Sequence, residues 1–237
     1  MKVCRFIFLF VFCFNFMEIE VFAQYDVMNS FSDYSAYLSK VADISCKKPK
    51  DFIWEKLETS YKTQSNWEQK SFVSFYGGKM QSKDGDCLIL YSNLTAAFLN
   101  KAECGCTFIR RQMAYDMKKV SDEAYPSDLR YSNIGDNVIK ITDKNVPFNA
   151  DTVFIVQLPI KKPYLGKYKY SMGIYACKSG RVPISFKCYF TDKGEMEKRK
   201  FLSKFYKTIK YRNNDNWSYD SEKMMKVLHE LYLKSKK

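Results

Sequence analysis

Few residues in this chain belong to types that do covalent or metal chemistry. His229 is the only histidine, so a Ser-His-Asp or Cys-His centre would have to be built on it. It stands among Leu228, Glu230 and Leu231, where a helix-face residue is the plainer reading. No serine lies in a nucleophile-elbow pattern. Asp84-Gly85-Asp86 resembles a fragment of a calcium loop, but the rest of that twelve-residue pattern is missing, so it reads as a tight turn. Gly77-Gly78 lacks a phosphate-loop context, and two N-glycosylation sequons, Asn93-Leu94-Thr95 and Asn216-Trp217-Ser218, matter only in a eukaryotic secretory pathway. No catalytic residue, cofactor or metal site is expected.

The cysteines are the remaining reactive group. Cys4 and Cys13 fall in an N-terminal leader, which leaves Cys46, Cys87, Cys104, Cys106, Cys177 and Cys188. An even set in an exported chain points to disulfides. Cys104-Gly105-Cys106 is too tight to close on itself, so these two are expected to reach separate partners. The competing readings are a thiol-redox pair, with Arg110 and Arg111 nearby, or a zinc site, which would need two further ligands.

The leader is the segment that fixes the compartment. Lys2 and Arg5 precede an apolar run from Phe6 to Phe16, and Val21-Phe22-Ala23 fits a cleavage site. Eleven helical residues reach only about 16 Å against a bilayer core of about 30 Å. Residues 1–23 therefore read as a cleavable signal peptide, residues 24–237 as a single domain, and the product as secreted or periplasmic with no later membrane span.

The formal net charge is +13. Between Ile160 and Arg212 stand fifteen Lys/Arg and only three acids, so this stretch carries +12. A field of that sign draws acidic partners. An acidic protein or an anionic glycan is the expected ligand. Nucleic acid is disfavoured by export and by the excess of Lys over Arg. A merely solubilising exterior is the plain alternative.

The elements that must position these charges follow from periodicity. Val27, Phe31, Tyr34, Leu38, Val41 and Ala42 predict an N-terminal amphipathic helix over 27–45. Ser71–Met80 and Cys87–Tyr91 predict a hairpin around Asp84-Gly85, 94–120 a helix broken at Gly105, Val138–Ile141 a short strand, and Asp151–Leu158 a strand buried on both faces. Tyr168–Cys177 and Val182–Phe190 predict a second hairpin. Its three-residue loop, Lys178-Ser179-Gly180, sets Cys177 opposite Arg181 and gives Gly180 a left-handed conformation. Cys188 then points into the core and Cys177 away from it, so those two should not bond. Helices are predicted over 195–211 and 219–234.

The fold class expected is α+β, mainly antiparallel sheet with flanking N-terminal and C-terminal helices, stabilised by disulfides. The function expected is a non-catalytic exported binding protein, toxin-neutralising or envelope-associated. Its basic face would consist of Lys169, Lys187, Lys200, Lys204 and Lys207 with Tyr175 and Tyr189. The alternative is a small secreted hydrolase acting on glycans through paired carboxylates.

Overall fold

The computed structural model describes residues 30–55, 76–92, 138–158, 160 and 162–220, with single positions at 109, 113, 116, 222, 226, 227, 229, 230 and 233. The leader, the Cys104-Gly105-Cys106 stretch and most of the expected 94–120 helix lie outside these residues.

Helix α1 (Phe31–Val41) starts at a capping box. The Ser30 Oγ accepts from the Asp33 N–H at 3.1 Å, and the Asp33 carboxylate accepts from the Ser30 N–H at 2.9 Å. This satisfies two otherwise orphaned donors. Tyr34, Tyr37, Leu38 and Val41 are its buried stripe. The chain then turns at Asp43, which has φ of 54°, into β1 (Ile44–Cys46) and β2 (Phe52–Glu55).

Strands β3 (Tyr76–Ser82) and β4 (Cys87–Ser92) form the expected hairpin. At its turn the Cys87 N–H donates to Ser82 Oγ at 2.9 Å and the Asp86 N–H to Asp84 Oδ1 at 3.1 Å. Gly85 takes the left-handed conformation, φ 75°. A bulge between Tyr76 and Gly78 leaves Gly78 bare beneath the Trp54 ring. A Cβ there would stand 2.1 Å from that ring.

Strands β5 (Val138–Ile141), β6 (Thr152–Gln157), β7 (Tyr170–Cys177) and β8 (Ile184–Phe190) complete a seven-stranded sheet of order β2-β3-β4-β8-β7-β6-β5. Every neighbouring pair is antiparallel. The apolar run in β6 feeds both faces. Val153 and Ile155 join the larger core, and Phe154 and Val156 the smaller one.

The β7–β8 hairpin keeps the expected parity but not the expected loop. Ala176 pairs with Ile184 and Tyr170 with Phe190, so Cys177 does not lie opposite Arg181. The register has moved by two residues, which preserves which side chains share a face. Pro183 has no N–H to give a ladder, and Arg181 is turned inward to a carboxylate. The loop therefore runs to residue 183. Gly180 is left-handed, with φ of 65°. Cys188 sits in the larger core and Cys177 in the smaller, on opposite faces.

The helix expected over 195–211 is split. Helix α2 (Asp192–Met196) and helix α3 (Lys198–Tyr206) are followed by strand β9 (Ile209–Tyr211). Thr191 caps α2 by accepting from the Gly194 N–H at 3.1 Å, and Thr191 itself donates to Asp86 Oδ1 at 2.7 Å. Helix α3 buries Phe201, Leu202 and Phe205 and stops where Thr208 donates its hydroxyl to the Phe205 carbonyl at 2.7 Å. Ile209 and Tyr211 are buried with Lys210 exposed between them, which is a period of two rather than a helical one. Pairing β9 with β1 supplies the backbone bonds that another helical turn would have given.

Helices α1 and α3 and the β1–β9 ribbon share the larger core with one sheet face, where Tyr34, Ile89, Ile174, Phe186 and Phe205 pack together. The other face is also covered. Ile109 and Met113, both helical, are buried against Phe154, Val156 and Tyr175.

The expectation of disulfide stabilisation finds no support among the described residues. Cys46, Cys87 and Cys188 are buried free thiols, and no two described cysteines are bridged. Each of the three thiols lies in the main core as a small apolar side chain, a common fate of buried cysteine.

Candidate functional site

The seven residues expected to form a basic face separate into two groups. Tyr175, Lys187 and Tyr189 are buried, which corrects the reading of their sheet face as an open surface. Lys187 Nζ lies 2.8 Å from Asp116 Oδ1, and the Tyr175 hydroxyl donates to Asp116 Oδ2 at 2.8 Å. Gly173, directly opposite Lys187, makes the room. A Cβ at 173 would lie 2.4 Å from the Tyr175 hydroxyl oxygen. Tyr189 stacks on Tyr164 with ring centroids 4.4 Å apart. A lysine reads as solvent-facing by default, but a carboxylate nearly a third of the chain away, on a packed helix, buries this one as an ion pair.

Lys169, Lys200 and Lys204 are exposed or half-buried, but each meets a carboxylate of its own chain. Lys169 pairs with Asp192 at 2.5 Å, Lys200 with Glu197 at 2.6 Å, and Lys204 with Asp51. The hydrogen bond from Lys200 to Glu197 raises its ammonium above the ordinary lysine value, and Asp192 does the same for Lys169. The pattern extends through the basic stretch. Nine of the fifteen cations from 160 to 212 pair with a described carboxylate. Five of those acids, Asp43, Asp51, Asp86, Asp116 and Asp151, come from earlier in the chain. The +12 is thus a property of the linear segment, and folding neutralises a large part of it.

Lys207 is exposed and has no carboxylate partner among the described residues. It leads into the β1–β9 ribbon, where cations gather. Ser45 pairs with Lys210, and the Lys47 N–H donates to the Thr208 carbonyl at 2.7 Å. Alternation along the two strands brings Ser45, Lys47, Lys210 and Arg212 to one face. Lys47, Lys48 and Lys210 are exposed and have no described carboxylate partner. Arg212 donates to Ser39 Oγ at 2.8 Å and lies 3.6 Å from Asp43.

Beside this ribbon runs an open groove of 880 Å³. Helix α1 supplies one wall through Ser32, Ser35 and Ser39, which recur on its outer side. Lys47, Lys48 and Arg212 form the basic rim, and Ile53 and Trp54 of β2 complete the lining. Trp54 is fixed by Phe31, Tyr34 and Tyr91, with ring centroids 5.1 to 5.6 Å away. Its indole N–H is buried with no hydrogen-bond partner. Ser35 Oγ donates to the Cys46 carbonyl at 2.8 Å, which ties α1 to β1 at the groove floor. Sequence reasoning missed this site. Its signals were Lys47-Lys48 directly after Cys46 and the 32, 35, 39 spacing of serines opposite the helix's apolar stripe.

One buried ion pair holds the ribbon to the main sheet. Arg181 Nη1 donates to Asp43 Oδ2 at 2.9 Å, and both side chains are less than a tenth exposed. Arg181 also donates to the Asn214 carbonyl and lies over the Trp217 ring at 4.8 Å. His229 is exposed on a helical stretch. No group of three or more metal-binding side chains occurs among the described residues.

The geometry defines a class, an antiparallel α+β protein carrying a basic groove at the edge of its sheet. No family model, curated protein or solved structure matches the chain.

Proposed function

We propose that this is an exported, non-catalytic binding protein that engages an acidic partner, with the β1–β9 ribbon and its groove as the contact surface. The supporting observation is the division of the cations. Lys169, Lys187, Lys200 and Lys204 are committed to carboxylates of the same chain, whereas Lys47, Lys48, Lys207 and Lys210 have no such partner among the described residues. Cations without a described partner offer an acidic ligand new ion pairs without breaking any described one. The C-terminal basic segment contributes Lys207 and Lys210 to this surface, and the N-terminal segment contributes Lys47 and Lys48.

Retention on immobilised poly-L-glutamate, eluted with a salt gradient, tests the proposal. Lys47→Glu/Lys48→Glu/Lys210→Glu should elute at much lower salt than the parent. Lys200→Glu/Lys204→Glu should stay closer to the parent, although it makes a smaller reversal and comparison per charge is required. Equal losses per reversed charge would mean that net charge alone governs retention, and the proposed surface would be wrong.

A further inference from the structure

The groove's lining says more than its charge. Successive residues of a strand face opposite sides of the sheet. A depression that touches both Ile53 and Trp54, and both Ser45 and Cys46, therefore cannot lie over one face of either strand. It runs along strand edges, with β2 on one side and β1 on the other. β2 is terminal in the seven-stranded order, and β1 pairs only with β9. Among the described residues no strand occupies the outer edge of either. On β1 that edge is already partly spent, because the Cys46 carbonyl accepts from Ser35. On β2 the Phe52 N–H is likewise spent, on the Pro49 carbonyl at 3.2 Å, so among the described residues a further strand has room only from Ile53 onward.

From these observations, and resting on the acidic-partner reading above, we infer that the partner enters as an extended acidic peptide segment adding a strand to β2. Exposed strand edges bind peptides by main-chain hydrogen bonds, and flanking pockets read alternate side chains. The three residues from Ile53 to Glu55 present an edge of about 10 Å. Ile53, 51% exposed, offers an apolar contact to one alternate set of peptide side chains. Lys47 and Lys48 meet carboxylates of the other set. Charge complementarity favours an acidic strand over a neutral one. The one acid on β2 that could repel it, Glu55, is held by Lys79 at 2.7 Å.

The test uses fluorescence anisotropy with a labelled octapeptide of alternating glutamate and valine. Two isomers carry N-methyl groups on all glutamate nitrogens or on all valine nitrogens. Each isomer removes the donors from one edge of the peptide strand. The inference predicts binding of the parent peptide at low salt, a loss of at least tenfold for one or both isomers, and a similar loss on Lys47→Glu/Lys48→Glu. If both isomers bind within twofold of the parent, strand addition is refuted. Binding of a sulfated oligosaccharide with none of the peptide refutes it as well. In both cases the acidic-ligand proposal survives if poly-L-glutamate retention still depends on Lys47, Lys48 and Lys210. If neither the resin nor any probe is bound at low salt, both readings fail.

Discussion

Replacing Asp43 should destabilise this protein more than any surface charge change, and the structure sets the scale. Asp43 is buried, bonds Arg181 at 2.9 Å and approaches Arg212 at 3.6 Å. Removing one partner of a buried pair leaves the other as an uncompensated charge, at about 3–5 kcal/mol. Alanine would add about 1–2 kcal/mol because residue 43 is left-handed, with φ of 54°, a conformation that Asp and Asn tolerate better. Asn keeps the shape, the backbone preference and one acceptor for Arg181. Asp43→Asn still leaves Arg181 without its countercharge and should cost near the lower end of the range for a broken buried pair, about 3 kcal/mol. In a chain of this size 1 kcal/mol moves Tm by about 2–4 °C. Thermal unfolding should then place Asp43→Asn roughly 6–12 °C below the parent and Asp43→Ala well below that. Arg181→Met combined with Asp43→Asn removes both charges, and the double variant should lose less than the two single losses added together. If Asp43→Ala melts with an exposed control such as Lys144→Gln, or if the losses simply add, the ion pair does not hold the ribbon as argued.

Other outcomes follow from the same contacts. Gly194→Ala should be strongly destabilising, because Gly194 is buried in helix α2 and its Cβ would fall 2.0 Å from the Asp86 carbonyl oxygen. A loss of about 1–3 kcal/mol or more is expected by denaturant titration. Peptide mapping after alkylation without reductant should find Cys46, Cys87 and Cys188 unmodified in the native protein and modified once it is unfolded. Modification under native conditions would contradict their burial. Burial raises all three thiols and the Tyr34 and Tyr91 hydroxyls above their ordinary values. The unfolded chain therefore ionises first, and stability should hold below about pH 8.5 and fall as pH rises beyond it. At the acid end, Asp51 and Asp192 are lowered chiefly by hydrogen bonds from Lys204 and Lys169. Their contribution is present above the ordinary carboxylate range, near pH 4, and is lost as pH falls through it.

Most of the sheet was legible because its signals are local. The consecutive Val153 to Val156 announced a strand with apolar side chains on both faces. Asp84-Gly85 announced its hairpin, and the parity argument placed Cys177 and Cys188 on opposite faces without the true loop length. What was not legible depended on contacts between distant residues. Nothing near Lys187 foretells Asp116, and nothing near Arg181 foretells Asp43, yet these pairs decide which cations remain available. The Ile209-Lys210-Tyr211 alternation was present in the sequence, but three residues following a strong helical stripe read as its last turn until β1 supplies a partner. The candidate site was least legible of all, because it is assembled from α1, β1, β2 and Arg212 and no one of these carries a motif.

On the proposed reading Lys47, Lys48 and Lys210, which have no carboxylate partner among the described residues, receive the acidic ligand rather than the helix α3 lysines. Poly-L-glutamate retention of two charge-matched double variants tests it most directly. Lys47→Glu/Lys48→Glu should lose most of its low-salt retention, and Lys200→Glu/Lys204→Glu should keep most of it. The reverse order, or equal losses in the two, would contradict the account.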